Sequence, residues 1–315
     1  MSKPITIIIV NWNSGQLLRQ CVTSIQAYHS NLVDQVVVVD NASTDDSMAV
    51  LETVETSVVP VRSIRNDVNR GFAAACNQGA ALADSKYLLF LNPDAELMPD
   101  SLDRPYAYME DPSHRNVGIV GIQLVGEDGA VARSCARFPS PARFLAYSLG
   151  INRIPPFRAS AVEMKEWAHE FTRNVDHVIG AFYFTRRAIF AAINGFDERF
   201  FVYYEDVDYS VRTRELGYRS VYIATSRARH VGGGASKQIK ARRLYYSMQS
   251  RLLYSFKHFG AVGSVLTLVT MLTLEPIARL TRAVLTGSSE ESRNTLAAYR
   301  MLYAALPQIV ARAKQ

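Results

Sequence analysis

Ile5-Thr6-Ile7-Ile8-Ile9-Val10 is an unbroken run of apolar and β-branched residues that stops at Asn11, and Val36-Val37-Val38-Val39 is a second run that stops at Asp40. Between them Leu17, Leu18, Cys21 and Ile25 recur at helical spacing, so the interval reads as strand, helix, strand. Short buried strands alternating with helical patterns are the signature of βαβ units that feed a mostly parallel sheet. Working outward, Ser43-Thr44-Asp45-Asp46 has the composition of a helix N-terminus. A third strand is expected around Val61 to Ile64, leading to Asn66. Phe72 to Ala83 is Ala-rich and helical, and Tyr87 to Leu91 is a fourth strand halted by Asn92-Pro93-Asp94. Sheets of this kind bind ligands beyond the carboxyl ends of their strands. Asn11, Asp40, Asn66 and Asp94 all fall there, so residues 1–100 read as a nucleotide-binding half-domain.

Residues 101–235 read as a second half. Val117 to Val131 predicts a β-hairpin through Glu127-Asp128-Gly129, and Asn152 to Asn174, with Pro155-Pro156, predicts a mobile loop. Val175 to Thr185 resumes strand character, Arg187 to Ile193 is a short helix, and Asp206 to Leu216 is a helix stopped at Gly217. Strand-like Ser220 to Ile223 precedes His230. Beyond Gly232-Gly233-Gly234 the character changes: Leu244, Met248, Leu252 and Phe256 lie one turn apart, which marks residues 236–315 as a helical extension. Phe259 to Leu274 is uncharged but only 16 residues long, against about 20 needed to span a bilayer. It ends at Glu275-Pro276, so an interfacial or core-buried helix is expected.

Charge is unevenly placed. Of the net +6, residues 236–315 hold 12 Lys/Arg against 3 Asp/Glu, whereas residues 1–235 hold 23 against 26. Such a basic block suggests an anionic partner, and the aliphatic and aromatic residues mixed into it favour a lipid surface over nucleic acid. Cys21, Cys76 and Cys135 are odd in number and show no C-x-x-C spacing, which argues against a disulfide framework or a zinc site and fits a reducing compartment. Met1 to Pro4 runs into the first strand with neither a basic n-region nor a small-residue cleavage site, so no secretory leader is expected.

Four constellations carry chemistry. Asp94, just past a buried strand, stands where a carboxylate can share a Mg2+ or Mn2+ ion with substrate phosphates; the bland alternative is a turn. Glu205, Asp206 and Asp208 crowd the start of a helix. They serve either the helix dipole or, since crowding raises a carboxyl pKa, a general base. His230 is a structural histidine or a metal ligand. Asn66-Asp67-Val68-Asn69-Arg70-Gly71 leads into a helix and contacts ribose or phosphate, or caps that helix. Neither G-x-G-x-x-G after the first strand nor G-x-x-x-x-G-K-[ST] occurs, which removes the dinucleotide-dependent and P-loop readings.

Taken in order, ITIIIVNWNS (5–14), VVVVDNASTD (36–45), NRGFAAACNQG (69–79), FLNPDAEL (90–97) and GFDERFFVYYEDVDYSVR (195–212), with Gly217-Tyr218 and His230 after them, resemble family 2 glycosyltransferases of the rhamnosyltransferase-like branch. The resemblance covers Ile5 to about Ser236. It implies a GT-A nucleotide-diphosphosugar transferase fold at 1–235, with a donor-binding half (1–100) and an acceptor-binding half (101–235). It further implies that Asp206, with Glu205 beside it, is catalytic and that Asp94 and His230 hold a divalent Mg2+ or Mn2+. Asp40 contacts the base or ribose, and Asn11, Asn41, Asn66, Arg70, Gly71 and Asn92 line the nucleotide-sugar pocket. Many relatives carry D-x-D where this chain has Asn92 in the first place. The implied activity is inverting transfer of a sugar, best L-rhamnose from its dTDP donor, to a saccharide or polyprenyl-linked saccharide in cell-surface polysaccharide synthesis. The expected location is peripheral, on the cytoplasmic face of the plasma membrane. A UDP-dependent galactofuranosyl or glucosyl transferase, or a non-catalytic sugar-nucleotide-binding subunit, are the alternatives.

Overall fold

The computed structural model describes residues 3–232 and 239–313, which divide into two compact units. The first comprises residues 3–136, 167–198 and 206–232. Its strands are β1 (Ile5–Asn11), β2 (Val33–Asp40), β3 (Val61–Arg65), β4 (Tyr87–Leu91), β5 (Ala95–Leu97), β6 (Val117–Val125), β7 (Cys135–Ala136), β8 (Arg173–Val175), β9 (His177–Val178), β10 (Phe182–Arg186) and β11 (Arg219–His230). The main sheet runs β3-β2-β1-β4-β10-β6-β11-β5, with β8 added to β11, while β7 and β9 pair separately. β3 to β4 are mutually parallel, as are β6 and β11; β10 runs antiparallel to both its neighbours and β5 antiparallel to β11.

The alternation of strands with α1 (Gln16–Tyr28), α2 (Ser47–Leu51) and α3 (Phe72–Ala80) builds the parallel half. Every residue of β1 is buried, because helices cover both faces of a parallel sheet, and this is why its sequence is a continuous apolar run rather than an alternation. Leu18, Cys21, Val22 and Ile25 of α1 are fully buried at helical spacing. On the other side α3 presents Ala73, Ala74, Ala75 and Cys76, and these small side chains let the helix approach β1 and β2 closely. A Cβ added at Gly79 would sit 2.5 Å from Ile8 Cγ2 and 3.2 Å from Val39 Cγ2. α4 (Asp103–Glu110), α6 (Arg187–Ala192) and α7 (Glu205–Glu215) follow, the last stopped at Gly217 with φ +86°.

Three expectations for residues 117–185 need correction. The hairpin over 117–131 has its turn, with Gly126 N–H donating to Ala130 O at 2.9 Å, but its return arm is a single bridge from Val125 to Val131. The stretch 152–174 is not featureless: it contains 3-10 turns at Ile151–Arg153 and Pro155–Ser160. Near its end Trp167 stacks on the buried His169 at 4.2 Å, and Gln123 and Tyr222 both donate to His169 O. Lastly, 175–185 is not one strand. It is broken at Asp176 and again at Ile179-Gly180-Ala181, with consequences for the site.

The second unit joins residues 137–166 and 199–205 to 239–313. It contains α5 (Pro141–Ser148), α8 (Lys240–His258), α9 (Ala261–Leu285) and α10 (Ser289–Arg312). The apolar run does not end at Glu275-Pro276 as expected; α9 continues through both for 25 residues. The reason is local. Pro276 has no N–H for the carbonyl of Leu272, and the Tyr303 hydroxyl donates to that carbonyl instead, at 2.7 Å. Glu275, 1% exposed, is ion-paired with Arg251 and, at 2.9 Å, with Arg279, and accepts from Ser148 Oγ at 3.1 Å. Burial alone would raise its pKa, but the two guanidiniums outweigh it and hold the carboxyl below the ordinary carboxylate range.

Gly79→Ala gains about 1 kcal/mol of helix propensity but overpacks against β-branched side chains that cannot swing away, costing about 1–3 kcal/mol. Urea unfolding should show net destabilisation. Glu275→Ala leaves Arg251 buried without its partner and should lower stability by about 3–5 kcal/mol, read from the same titration.

Candidate active site

At the carboxyl ends of β1 and β2, Asn11 and Asp40 are directly paired in register. The Asn11 amide donates to Asp40 Oδ1 at 2.8 Å and to the hydroxyls of Ser43 and Ser47 at 3.0 and 2.8 Å, while Ser43 N–H reaches Asp40 Oδ2 at 3.3 Å. Asp40 is buried, and these donors satisfy it in one orientation. Beside it Asn41 forms a second node. Its Nδ2 donates to Asn69 Oδ1 at 2.9 Å and to Gly71 O at 3.1 Å, and its Oδ1 accepts from Asn66 Nδ2 at 3.2 Å and Arg70 N–H at 3.0 Å. Gly71 takes φ +88° at the start of α3, a conformation that favours glycine. The Asn66–Gly71 loop is therefore braced by amide side chains, and the Arg70 side chain is left exposed.

Asn92-Pro93-Asp94 turns the chain from β4 into β5. Asn92 N–H donates to Ala181 O at 3.0 Å, and Ala95 N–H closes the turn onto Asn92 O at 3.1 Å. β5 lies antiparallel to the end of β11, with His230 opposite Ala95, and that register brings His230 Nε2 to 3.2 Å from Asp94 Oδ1. Two residues 136 apart in sequence thus meet through one strand pairing. Their side chains are 14% and 10% exposed, so both are fixed yet open on one side. Among the described residues no group of three or more His, Cys, Asp or Glu is arranged to hold a metal ion. One carboxylate and one imidazole fit a divalent ion only if substrate oxygens complete its shell, which is how Mg2+ is commonly bound beside phosphates. Of the three glycines after His230, Gly232 has φ +72°, and Gly233 and Gly234 lie outside the described residues. Cys21, whose Sγ contacts Asn92 O at 3.7 Å, is no nucleophile: burial, with Asp94 and Glu96 nearby, pushes its thiol well up.

Asp206, in the first turn of α7, accepts from Gly180 N–H at Oδ2 (2.9 Å) and from Val207 N–H at Oδ1 (2.8 Å). His177 Nε2 lies 3.5 Å from Oδ2, and the imidazole, 3% exposed, is held from behind by Ser210 Oγ at 3.0 Å from Nδ1. Tyr183 and Ser210 hydroxyls are 2.7 Å apart, completing a buried relay beneath the carboxylate. The expected raised pKa from crowded acids does not hold for Asp206. Burial does push it up, but the charge of His177 and the hydrogen bonds from His177, Val207 and Gly180 prevail and lower it. The crowding itself is dispersed. Asp208 points to Arg212 at 2.8 Å, whose guanidinium also caps Ile193 O and Gly195 O, and the buried Glu205 groups with the helical unit.

Gly180 and Ala181 connect the two clusters. One residue donates to Asp206 and the next accepts from Asn92, so the Asp94–His230 pair and the Asp206 carboxylate are referenced to one short piece of backbone. A Cβ at Gly180 would stand 3.2 Å from Asp206 Oδ2, so the carboxylate would have to give by a few tenths of an ångström. His177 and Gly180 were missed from sequence. The available signal was the glycine interrupting a strand-like run, a mark of close backbone approach.

The chain and its fold are similar to known proteins. An N-acetylglucosaminyl-diphospho-decaprenol L-rhamnosyltransferase of Mycobacterium tuberculosis is 26% identical over 243 residues, covering 73% of this chain and 76% of the relative. The rhamnosyltransferase WbbL of Escherichia coli is 28% identical over 195 residues, covering 58% and 69%. In fold the chain is similar to the mannosyltransferase PcManGT from Pyrobaculum calidifontis, solved in complex with GDP-Man and Mn2+. The TM-score is 0.56 at 19% identity, over 99% of this chain and 85% of that one. The sheet unit has the GT-A architecture, a mostly parallel mixed sheet flanked by helices, and a helical region follows it. Residues 6–193, more than half of the length, match Glycosyl transferase family 2, and the chain belongs to that family.

Proposed function

We propose that the protein is an inverting glycosyltransferase that moves a sugar, L-rhamnose from its dTDP donor, onto a polyprenyl-linked saccharide at the cytoplasmic face of a membrane, in the synthesis of a surface polysaccharide. The observation that carries the reading is the Asp206 carboxylate, kept ionised and aimed by Gly180 N–H and His177, on the same backbone segment that holds the Asn92-Pro93-Asp94 turn. Two relatives named as rhamnosyltransferases, one of them for a decaprenol-linked acceptor, support the choice of donor and acceptor.

In this mechanism Asp40, oriented by Asn11, receives the base or ribose, and the loop braced by Asn41 and Asn66 shapes the rest of the nucleotide pocket with Arg70 and Gly71 at its rim. The acceptor hydroxyl gives its proton to Asp206 as its oxygen attacks the anomeric carbon. The bond from that carbon to the diphosphate oxygen breaks on the opposite side, so the configuration inverts. A side chain 16% exposed is open enough to meet the acceptor and enclosed enough to exclude most water. His177 is a positioning residue that keeps Asp206 ionised before the transfer and is itself held in place by Ser210, which Tyr183 braces in turn. Asp94 and His230 would hold the Mg2+ or Mn2+ ion, which when bound neutralises the departing diphosphate.

Asp206→Asn should abolish transfer while leaving nucleotide binding by calorimetry unchanged; substantial residual transfer would remove Asp206 from its role. Because its pKa is lowered, the acid limb of kcat/KM should lie below the ordinary carboxylate value of about 4. His177→Asn, which removes the imidazole, should move that limb upward. A purely structural His177 would change the plateau and leave the limb in place. Calorimetry of Mn2+ should show weak binding alone, tighter binding with nucleoside diphosphate, and loss of the nucleotide-dependent part in Asp94→Asn. Mn2+ binding unaffected by that change would move the metal elsewhere.

A further inference from the structure

Among the described residues one helix, α9, is long and apolar enough to cross a bilayer, yet its two faces differ. Met271 and Glu275 are buried, whereas Val262 (84% exposed), Leu266, Val269 (50%), Ile277 (63%) and Val284 (75%) look outward at intervals of three, four, seven and eight residues. Thr273 is exposed on the same side, and the stripe carries no charge. At 25 residues it runs roughly 37 Å, long for a set of unpartnered aliphatic side chains. The buried face is tied down. Gly263 has no room for a Cβ against Pro141 of α5, at 2.7 Å, and Glu275 is shared by Arg251 and Arg279. Pulling α9 out to span a membrane would strand those charges in hydrocarbon, a cost that such buried networks do not bear.

The surroundings of the stripe are basic and amphipathic. Tyr303 of α10, half exposed, is fastened to α9 through Leu272 O, and Arg300 and Leu296 lie one and two turns before it on the same exposed side of α10. All three acids of residues 236–315 are engaged within the unit: Glu275 with its two arginines, Glu290 with Lys240 and Glu291 with Arg282. The large excess of Lys/Arg over that stretch therefore remains as net positive charge.

We propose that α9 lies in the plane of an anionic bilayer, its Val262–Val284 stripe immersed among the acyl chains and Arg300 and Tyr303 at headgroup level. A helix apolar on one side, pinned on the other and set in a cationic unit has the properties of an interfacial anchor. The inference rests on the membrane-surface reading above and assigns it to one face, which would hold a lipid-linked acceptor's membrane close to the enzyme.

The test is flotation of the full chain with phosphatidylcholine vesicles and with the same vesicles containing phosphatidylglycerol. Wild type should float with the anionic vesicles and less so at high salt. Val269→Glu with Ile277→Glu, both at solvent-exposed positions, should reduce binding at least about tenfold with circular dichroism and Tm unchanged. An environment-sensitive dye on Val269→Cys, the native thiols being buried, should shift to the blue with anionic vesicles only. Glutamate variants that float like wild type would overturn the assignment to α9 and leave the membrane reading standing. Wild type that binds no vesicle but self-associates through this stripe would overturn both, giving the face to a second copy. Resistance of bound protein to alkaline carbonate would overturn the interfacial placement in favour of a span.

Discussion

Asn92 N–H on Ala181 O and Gly180 N–H on Asp206 Oδ2 are two ordinary backbone donors, at 3.0 and 2.9 Å, but the rest of the site depends on them. They exist because the run from Val175 to Thr185 does not stay a strand. The break frees one N–H to turn toward a side chain and one carbonyl to face a neighbouring turn, and both groups are satisfied by parts of the site instead of by a ladder. Glycine at 180 lets the carboxylate come this close, since a Cβ there would stand 3.2 Å from Asp206 Oδ2 and the carboxylate would have to shift by a few tenths of an ångström. The positions of Asp206 and of the Asn92-Pro93-Asp94 turn are then referenced to the sheet, since Ala181 leads directly into β10 within it.

The electrostatics follow the same division. Asp206 is enclosed, which by itself favours the protonated acid, and the sequence's cluster of carboxylates would favour it further. Tertiary packing reverses the outcome by sending Asp208 to Arg212 and placing His177 beside Asp206. A carboxylate so treated stays ionised despite its burial, and its orientation is set by the hydrogen bonds from Gly180 and Val207. Asp40 is handled differently, by neutral donors from Asn11 and Ser43. This fixes the direction of the carboxylate with neutral groups alone.

In the helical unit a single buried acid decides the architecture. Glu275-Pro276 looks like a stop, and α9 passes through because every deficit is met: two guanidiniums and a serine for the carboxylate, and the Tyr303 hydroxyl for the carbonyl that proline leaves open. The same contacts hold one face of α9 to its neighbours and leave the other face apolar and uncovered.

The parallel half of the fold could be read directly from residues, because fully buried strands register as apolar runs and their polar terminators, Asn11, Asp40, Asn66 and Asp94, mark the ligand end of the sheet. The order of motifs was sufficient for the family. What could not be read were the partnerships that span sequence distance: His230 with Asp94 through the β5–β11 register, His177 and Gly180 with Asp206, Tyr303 with Leu272. A local pattern reports what each segment prefers to bury, whereas the pKa of Asp206 and the passage of α9 through a proline depend on which distant groups packing places within about 3 Å, and only the tertiary structure decides that.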